Sequence, residues 1–214
     1  MSGMIGHLLG GSIGASNLPL VSVVIALDMT CPFSKKAWDT LVSVSTKYNS
    51  NQCQFRKLDW VQLWHPQGYV MALAAAAVKK ASGGSDEKWF KFTSWLYEHQ
   101  SDFLDDKVYR QSREQIESRL ADAAQEKSVF HLCFKTFFVA AVRREAFLKA
   151  LTDDKTVRLV KDHTKFGRQN GVHESPTFIV NGLIVPSINS SWTINQWTDM
   201  IDNLLATANN QAQA

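Results

Sequence analysis

The stretch ALDMTCPFSKKAWDTL, residues 26–41, decides how the chain reads. At its centre, Cys31-Pro32-Phe33-Ser34 joins an apolar run to a helical pattern. A cysteine, a proline, an aromatic residue and a fourth residue one helical turn on form the layout of a two-thiol exchange site. The fourth residue here is Ser34, so any exchange of disulfides rests on one sulfur.

Upstream, Val21–Leu27 (VSVVIAL) is a β-branched run of the kind buried on both faces of a sheet. Downstream, a helix is predicted from Pro32 to Tyr48, with proline in its first turn and Ala37, Trp38, Leu41, Val42 and Val44 at helical spacing. Gln54–Trp60 (QFRKLDW) alternates as a second strand, and strand, helix, strand with short links implies a right-handed parallel βαβ unit. From Tyr69 to Leu151 the chain offers only helical patterns, the first two separated at Ser82-Gly83-Gly84-Ser85. Asp154–Gly171 reads as a helix ended by glycine. Thr177–Pro186 then reads as two strands around Asn181-Gly182, a pair suited to a type I′ turn. A last helix begins at Thr193 or Ser191 and carries Trp197, Ile201, Leu204 and Leu205 on one face.

A βαβ half and a ββα half completing one sheet make an α/β thioredoxin fold, interrupted here by an all-helical insertion. The expected boundaries are a flexible arm at 1–17, a thioredoxin-like domain from 18–66 and 152–208, an insertion at 67–151 and a frayed tail at 209–214.

The position of Cys31, where a strand ends and a helix begins, directs unpaired N–H groups and the positive helix end at its sulfur. Thiolate is the nucleophile, and a helix start favours it. The helix end contributes about 0.3–1 kcal/mol, so direct hydrogen bonds must add the rest, with the Ser34 hydroxyl one candidate donor. Asp28 either opposes an ionised sulfur or caps the turn. A hydroxyl at residue 34 cannot resolve a mixed disulfide, so Cys31 needs an outside thiol, glutathione foremost, to complete a cycle. Ser175-Pro176, opening the first strand of the hairpin, suits a cis turn whose backbone pairs with an extended substrate.

Composition narrows the partners. Hydrophobic residues make up 45% and charged residues 20%, enough for a packed core. A net charge of +3 without a dense basic stripe sets nucleic acid aside. No stretch approaches ~20 apolar residues, so no membrane span is expected, and the start of the chain lacks the basic region of a signal peptide. Three cysteines without a CxxC pair or metal-ligand spacing fit a reducing compartment, the cytoplasm, and no metal. Cys53 and Cys133 read as small packing residues. Phe130, Phe134, Phe137 and Phe138 read as helical core, or else as an apolar pocket or dimer face, which leaves a homodimer open. Trp64 and His65 read as a surface loop before the first inserted helix, or as an overhang above Cys31.

Together these residues resemble the DsbA-like thioredoxin-fold proteins. LDMTCPFSKKAW is similar to that family's strand–Asp-x-x-Cys-Pro-x-x–helix signature, GVHESPTFIVNG to its Gly-Val-x-x-x-Pro-x-Phe-x-Val-Asn-Gly segment, and LWHPQGYVMALAAAAV to the entry into its helical insertion. The resemblance covers roughly residues 17 to 208. It implies that Cys31 is the nucleophile position and Pro176 the cis-proline. Ser34 departs from the disulfide-forming members and is similar to a Cys-Pro-Phe-Ser branch, and to the Ser-Pro-x-Ser-like stretch of kappa-class glutathione transferases. The expected function is thiol-disulfide exchange through Cys31 and Ser34, with Pro32, Phe33, Ser175 and Pro176 binding substrate. The expected partners are protein or small-molecule thiols and disulfides, and no cofactor is tightly held. A non-catalytic binding or chaperone-like module and a kappa-like transferase or isomerase are the alternatives.

Overall fold

The computed structural model describes residues 6–9, 19–127 and 141–212. Its five strands are β1 (His7–Leu9), β2 (Val21–Leu27), β3 (Cys53–Asp59), β4 (Thr177–Val180) and β5 (Leu183–Ile184), in the order β1-β3-β2-β4-β5. β2 and β3 are parallel, as a βαβ crossover through α1 (Pro32–Ser45) requires. β4 runs antiparallel to β2, and β5 to β4. The turn between β4 and β5 holds Asn181 at φ 49° and Gly182 at φ 86°, the pair of positive values that a type I′ turn demands.

β2 is apolar on both faces because both are covered. Val21, Val23, Ile25 and Leu27 enter the main core with α1, while Ala26 joins a smaller cluster with Leu58, Trp60, Val172 and Ile179. α1 buries Ala37, Trp38, Leu41 and Val44, spaced as one helical face. α8 (Ile194–Ala212) packs beside it through Trp197, Ile201 and Leu205, and Thr193 Oγ1 caps it by accepting from Gln196 N at 3.3 Å.

The insertion comprises α2 (Gly68–Ala81), α3 (Asp86–Glu98), a 3-10 turn at Gln100–Phe103, α4 (Asp105–Val108), α5 (Arg113–Lys127) and α6 (Arg144–Leu151). α2 is its hub. Residues Val70 through Val78 are all buried, because α3, α5, α6 and α7 (Asp154–Gln169) surround a helix of alanine and larger aliphatics. Trp38 ties the insertion to the sheet domain: its indole N–H donates to Ser94 Oγ at 3.1 Å, and its ring packs on Trp89 and Tyr97 of α3. Among the described residues no helix is long and apolar enough to cross a membrane.

Two features depart from the sequence expectation. The segment read as a loose arm contains β1, which pairs antiparallel with β3, His7 opposite Lys57. The tail read as frayed from residue 209 continues α8 to Ala212. Phe130, Cys133, Phe134, Phe137 and Phe138 lie outside the described residues.

Candidate active site

β2 ends at Leu27 and α1 starts at Pro32, so four residues make the corner. Asp28 organises it. Its Oδ1 accepts from Thr30 N at 2.7 Å and Thr30 Oγ1 at 2.8 Å, its Oδ2 accepts from Gln62 N at 2.7 Å, and its carbonyl accepts from Cys31 N at 3.3 Å. The side chain is fully buried, and the start of α2 lies so close that a Cβ on Gly68 would stand 3.0 Å from Oδ2. Asp28 therefore shapes the turn beneath the cysteine.

Ser34 completes the same corner. Its hydroxyl is buried and accepts from Asp28 N at 3.1 Å. The sequence suggests a hydroxyl aimed at the sulfur; its oxygen accepts from the backbone of the turn, because the buried Asp28 N–H needs an acceptor there, and its O–H remains a donor.

Cys31 is the N-cap residue of α1, with Pro32 in the first turn and no acidic residue in that turn; the nearby Asp28 carboxylate is engaged by Thr30 and Gln62 N. Its Sγ–H donates to the Ser175 carbonyl at 3.4 Å, and the Ser175–Pro176 peptide is cis. Cys31 keeps 4% of its surface exposed, beside Phe33 at 62%. The Ser175 hydroxyl is buried without a partner. Beyond Pro176, a cavity of about 200 Å³ is lined by His173, Glu174, Phe178 and Pro186. The corner is also held from the insertion: Gln100 Nε2 donates to the Met29 carbonyl at 2.8 Å and to the Cys31 carbonyl at 3.0 Å.

His65 and Trp64 stand near this corner. His65 Nδ1 lies 3.2 Å from Asp28 Oδ2, at ion-pair distance though off the line of a hydrogen bond. Trp64 is 67% exposed and meets the imidazole edge-on. The other cysteine among the described residues, Cys53, is buried in β3, and burial pushes its thiol up to about 12.

One level deeper, β3 carries Lys57 and Asp59, both fully buried. Lys57 Nζ pairs with Asp59 Oδ1, while Asp59 Oδ2 lies 3.1 Å from His7 Nε2 and 3.0 Å from His163 Nδ1. Burial disfavours the Asp59 anion, yet Lys57 and the two imidazoles hold its carboxyl well below the usual range. Burial lowers His7 to about 4, outweighing the hydrogen bond to Asp59. The ligand-type atoms of His7, Asp59 and His163 lie within 4.8 Å of one another. The adjoining Lys57 ammonium already neutralises the carboxylate, so the chemistry is that of a closed polar network, not of a cation site.

The structure thus brings Cys31, Ser34, Ser175 and Pro176 to one corner, with Phe33 exposed at its edge. Gln100 and the Lys57–Asp59 cluster were not singled out from sequence. For the cluster a signal existed, since charges two apart in a strand share a face. For Gln100 there was none.

A sequence profile of the thioredoxin family matches residues 11–203. The chain belongs to the thioredoxin family. No curated protein compared with it matches. Among solved structures, a "putative protein-disulfide isomerase" from Pseudomonas syringae is 24% identical, with a TM-score of 0.69 over 86% of this chain and 95% of that one. The thiol-disulfide exchange protein alpha-DsbA2 from Wolbachia pipientis is 19% identical, with a TM-score of 0.62 over 89% and 84%. BdbD from Bacillus subtilis is 16% identical, with a TM-score of 0.61 over 91% of each chain. This thioredoxin-family chain shares with them the DsbA-like fold, a thioredoxin sheet carrying a helical insertion.

Proposed function

We propose that the protein is a thiol-disulfide oxidoreductase that acts through Cys31 alone and is turned over by glutathione or another external thiol in a reducing compartment. The observation that carries this reading is the placement of one sulfur at the N-cap of α1, 3.4 Å from the carbonyl that precedes cis-Pro176. The first-turn amides of α1, unbonded to any capping side chain, favour negative charge on that sulfur. An incoming disulfide is attacked by the Cys31 thiolate: a Cys31–substrate S–S bond forms, the original S–S bond breaks, and the departing sulfur leaves as a thiolate. The Ser175 carbonyl, released from the Sγ–H, is then free to accept from an extended substrate backbone.

Intact mass after incubation with oxidised glutathione tests this. A single glutathionyl adduct on Cys31, removed by reduced glutathione, is expected. A protein whose Cys31 takes no adduct under conditions that label a free thiol is not an exchange enzyme. A binding module is the second reading, favoured by the exposed Phe33, Leu63 and Trp64. It expects Cys31→Ala to retain full function, whereas exchange chemistry expects complete loss.

A further inference from the structure

With serine at residue 34, the outside thiol needs a place to enter and a group to take its proton. A second cavity beside the corner, about 130 Å³ in volume, is lined by Thr30, Trp64, His65, Phe103, Leu104 and Asp105. Thr30 immediately precedes Cys31, and Phe103 ends the 3-10 turn whose Gln100 holds the Cys31 carbonyl. The cavity is therefore built by the insertion against the cysteine loop. At about 30 Å³ per water it holds a few heavy atoms, the size of a small thiol.

His65 supplies the chemistry. Its Nδ1 is buried 3.2 Å from Asp28 Oδ2, while the side chain as a whole keeps 18% exposure. The exposed part is thus the far edge of the ring, which carries Nε2. Nδ1 faces a carboxylate held by three hydrogen bonds, which favours the tautomer with its proton on Nδ1 and the lone pair on Nε2. The distance fits such a pair although the angle is poor, as is common where the geometry tightens only once substrate is bound.

We propose that this cavity admits the external thiol and that His65, oriented by Asp28, is its general base; the inference rests on the single-thiol reading and adds the entry site. Nε2 takes the proton of the incoming thiol, whose sulfur attacks Sγ of the Cys31–substrate disulfide. A new S–S bond joins Cys31 to the incoming sulfur, the old one breaks, and the electron pair leaves with the substrate sulfur, which recovers the proton from the imidazolium. The incoming thiol is oxidised and the substrate sulfur reduced. Asp105, the acidic group in the wall besides the Asp28 contact, favours neutral or cationic thiols over anionic ones.

The test loads Cys31 with an aromatic thionitrobenzoate group, located by peptide mapping, and follows its release by cysteamine from mildly acidic to alkaline pH. Asp28 and Asp105, the titratable groups facing the ring, stay in place in every variant. His65→Gln is expected to release the group ~10²-fold more slowly at neutral pH, the range of general-base catalysis. The deficit should close as pH rises and cysteamine ionises by itself. Leu104→Trp, which fills the cavity, should slow release while leaving loading unchanged. Equal release by His65→Gln and wild type, a deficit that is the same at every pH, or unimpaired release by Leu104→Trp each overturns the proposal while leaving the single-thiol reading intact. A wild-type Cys31 that cannot be loaded removes both.

Discussion

Cys31 is held at three atoms: its N–H by Asp28, its carbonyl by Gln100 and its sulfur by Ser175. Gln100→Met removes the N–H donor from two buried carbonyls at once and keeps the side-chain length. The Cys31 carbonyl still accepts from Lys35 N at 3.1 Å, so the expected loss is about 1–3 kcal/mol for the Met29 carbonyl left unsatisfied, read as a lower denaturation midpoint, together with a changed rate of Cys31 alkylation. An unaltered midpoint would mean that water replaces the amide. Ser34→Cys tests the second site of the motif. Residues three apart on a helix have Cβ atoms about 5–6 Å apart, which a small adjustment brings into disulfide range. The variant should form an internal disulfide with Cys31, seen as the loss of two hydrogens by mass, at the expense of the acceptor that Asp28 N–H now uses. At this scale the sequence was legible where the chemistry is local. Cys31, Ser34 and the Ser175-Pro176 pair are short motifs with a stated geometry. Gln100 was not legible, because only the folded insertion brings it across 69 residues to the cysteine carbonyl.

Among the elements, β2 and the β4–β5 hairpin could be read because their apolar runs and Asn181-Gly182 turn are local signals. β3 was harder. Its alternation places polar residues on a face that a half-exposed strand would give to water, yet every residue from Cys53 to Asp59 is buried. α1 and α7 pack on β3 and β1 borders it, and the pair Lys57–Asp59 is satisfied internally with His7 and His163. β1 has only three residues, too short for a periodic signal, and is anchored by His7 stacked on Trp89 at 4.6 Å. This anchor is acid-sensitive. His7 titrates at about 4 in the folded chain against 6.5 unfolded, so below 6.5 the unfolded chain binds more protons. Stability from His7 is fully present above pH 6.5 and is lost as pH falls toward 4. Asp59, held below its ordinary value, acts in the same direction but at lower pH. Hydrogen exchange of the amides pairing β1 with β3 should accelerate between pH 6.5 and 4 beyond the intrinsic trend, before the centre of the sheet opens. His7→Phe, neutral throughout, should flatten that dependence. An identical dependence in the variant would place the sensitivity elsewhere.

At the scale of the whole molecule, one helix links the sheet, the insertion and the active corner. α7 packs on β3, α2 and α6, carries His163 to Asp59, and crosses β3 where Gly167 meets Trp60. A Cβ at Gly167 would stand 2.8 Å from Trp60 Cζ3 and 2.9 Å from Cε3, closer than real contacts allow. Trp60 has little room to yield. It is buried with Leu58, Val172 and Ile179, and its indole N–H donates to Gln62 Oε1 at 3.3 Å, while Gln62 N in turn holds Asp28. Two effects compete in Gly167→Ala. Alanine in a helix interior gains about 0.8–1 kcal/mol over glycine. Overpacking a rigid core costs about 1–3 kcal/mol, and with an aromatic ring as the obstacle the upper part of that range applies. Sterics should win, giving a net loss of about 1–2 kcal/mol and a Tm lower by roughly 2–8 °C for a chain of this size. Because the displaced ring pulls on the segment from Trp60 to Gln62, the variant should also change Cys31 alkylation, although residue 167 lies on another helix. A melting temperature at or above that of wild type would show that α7 can shift outward freely. The corner would then owe its geometry to Asp28, Gln100 and the insertion, without the clamp of α7 across the sheet.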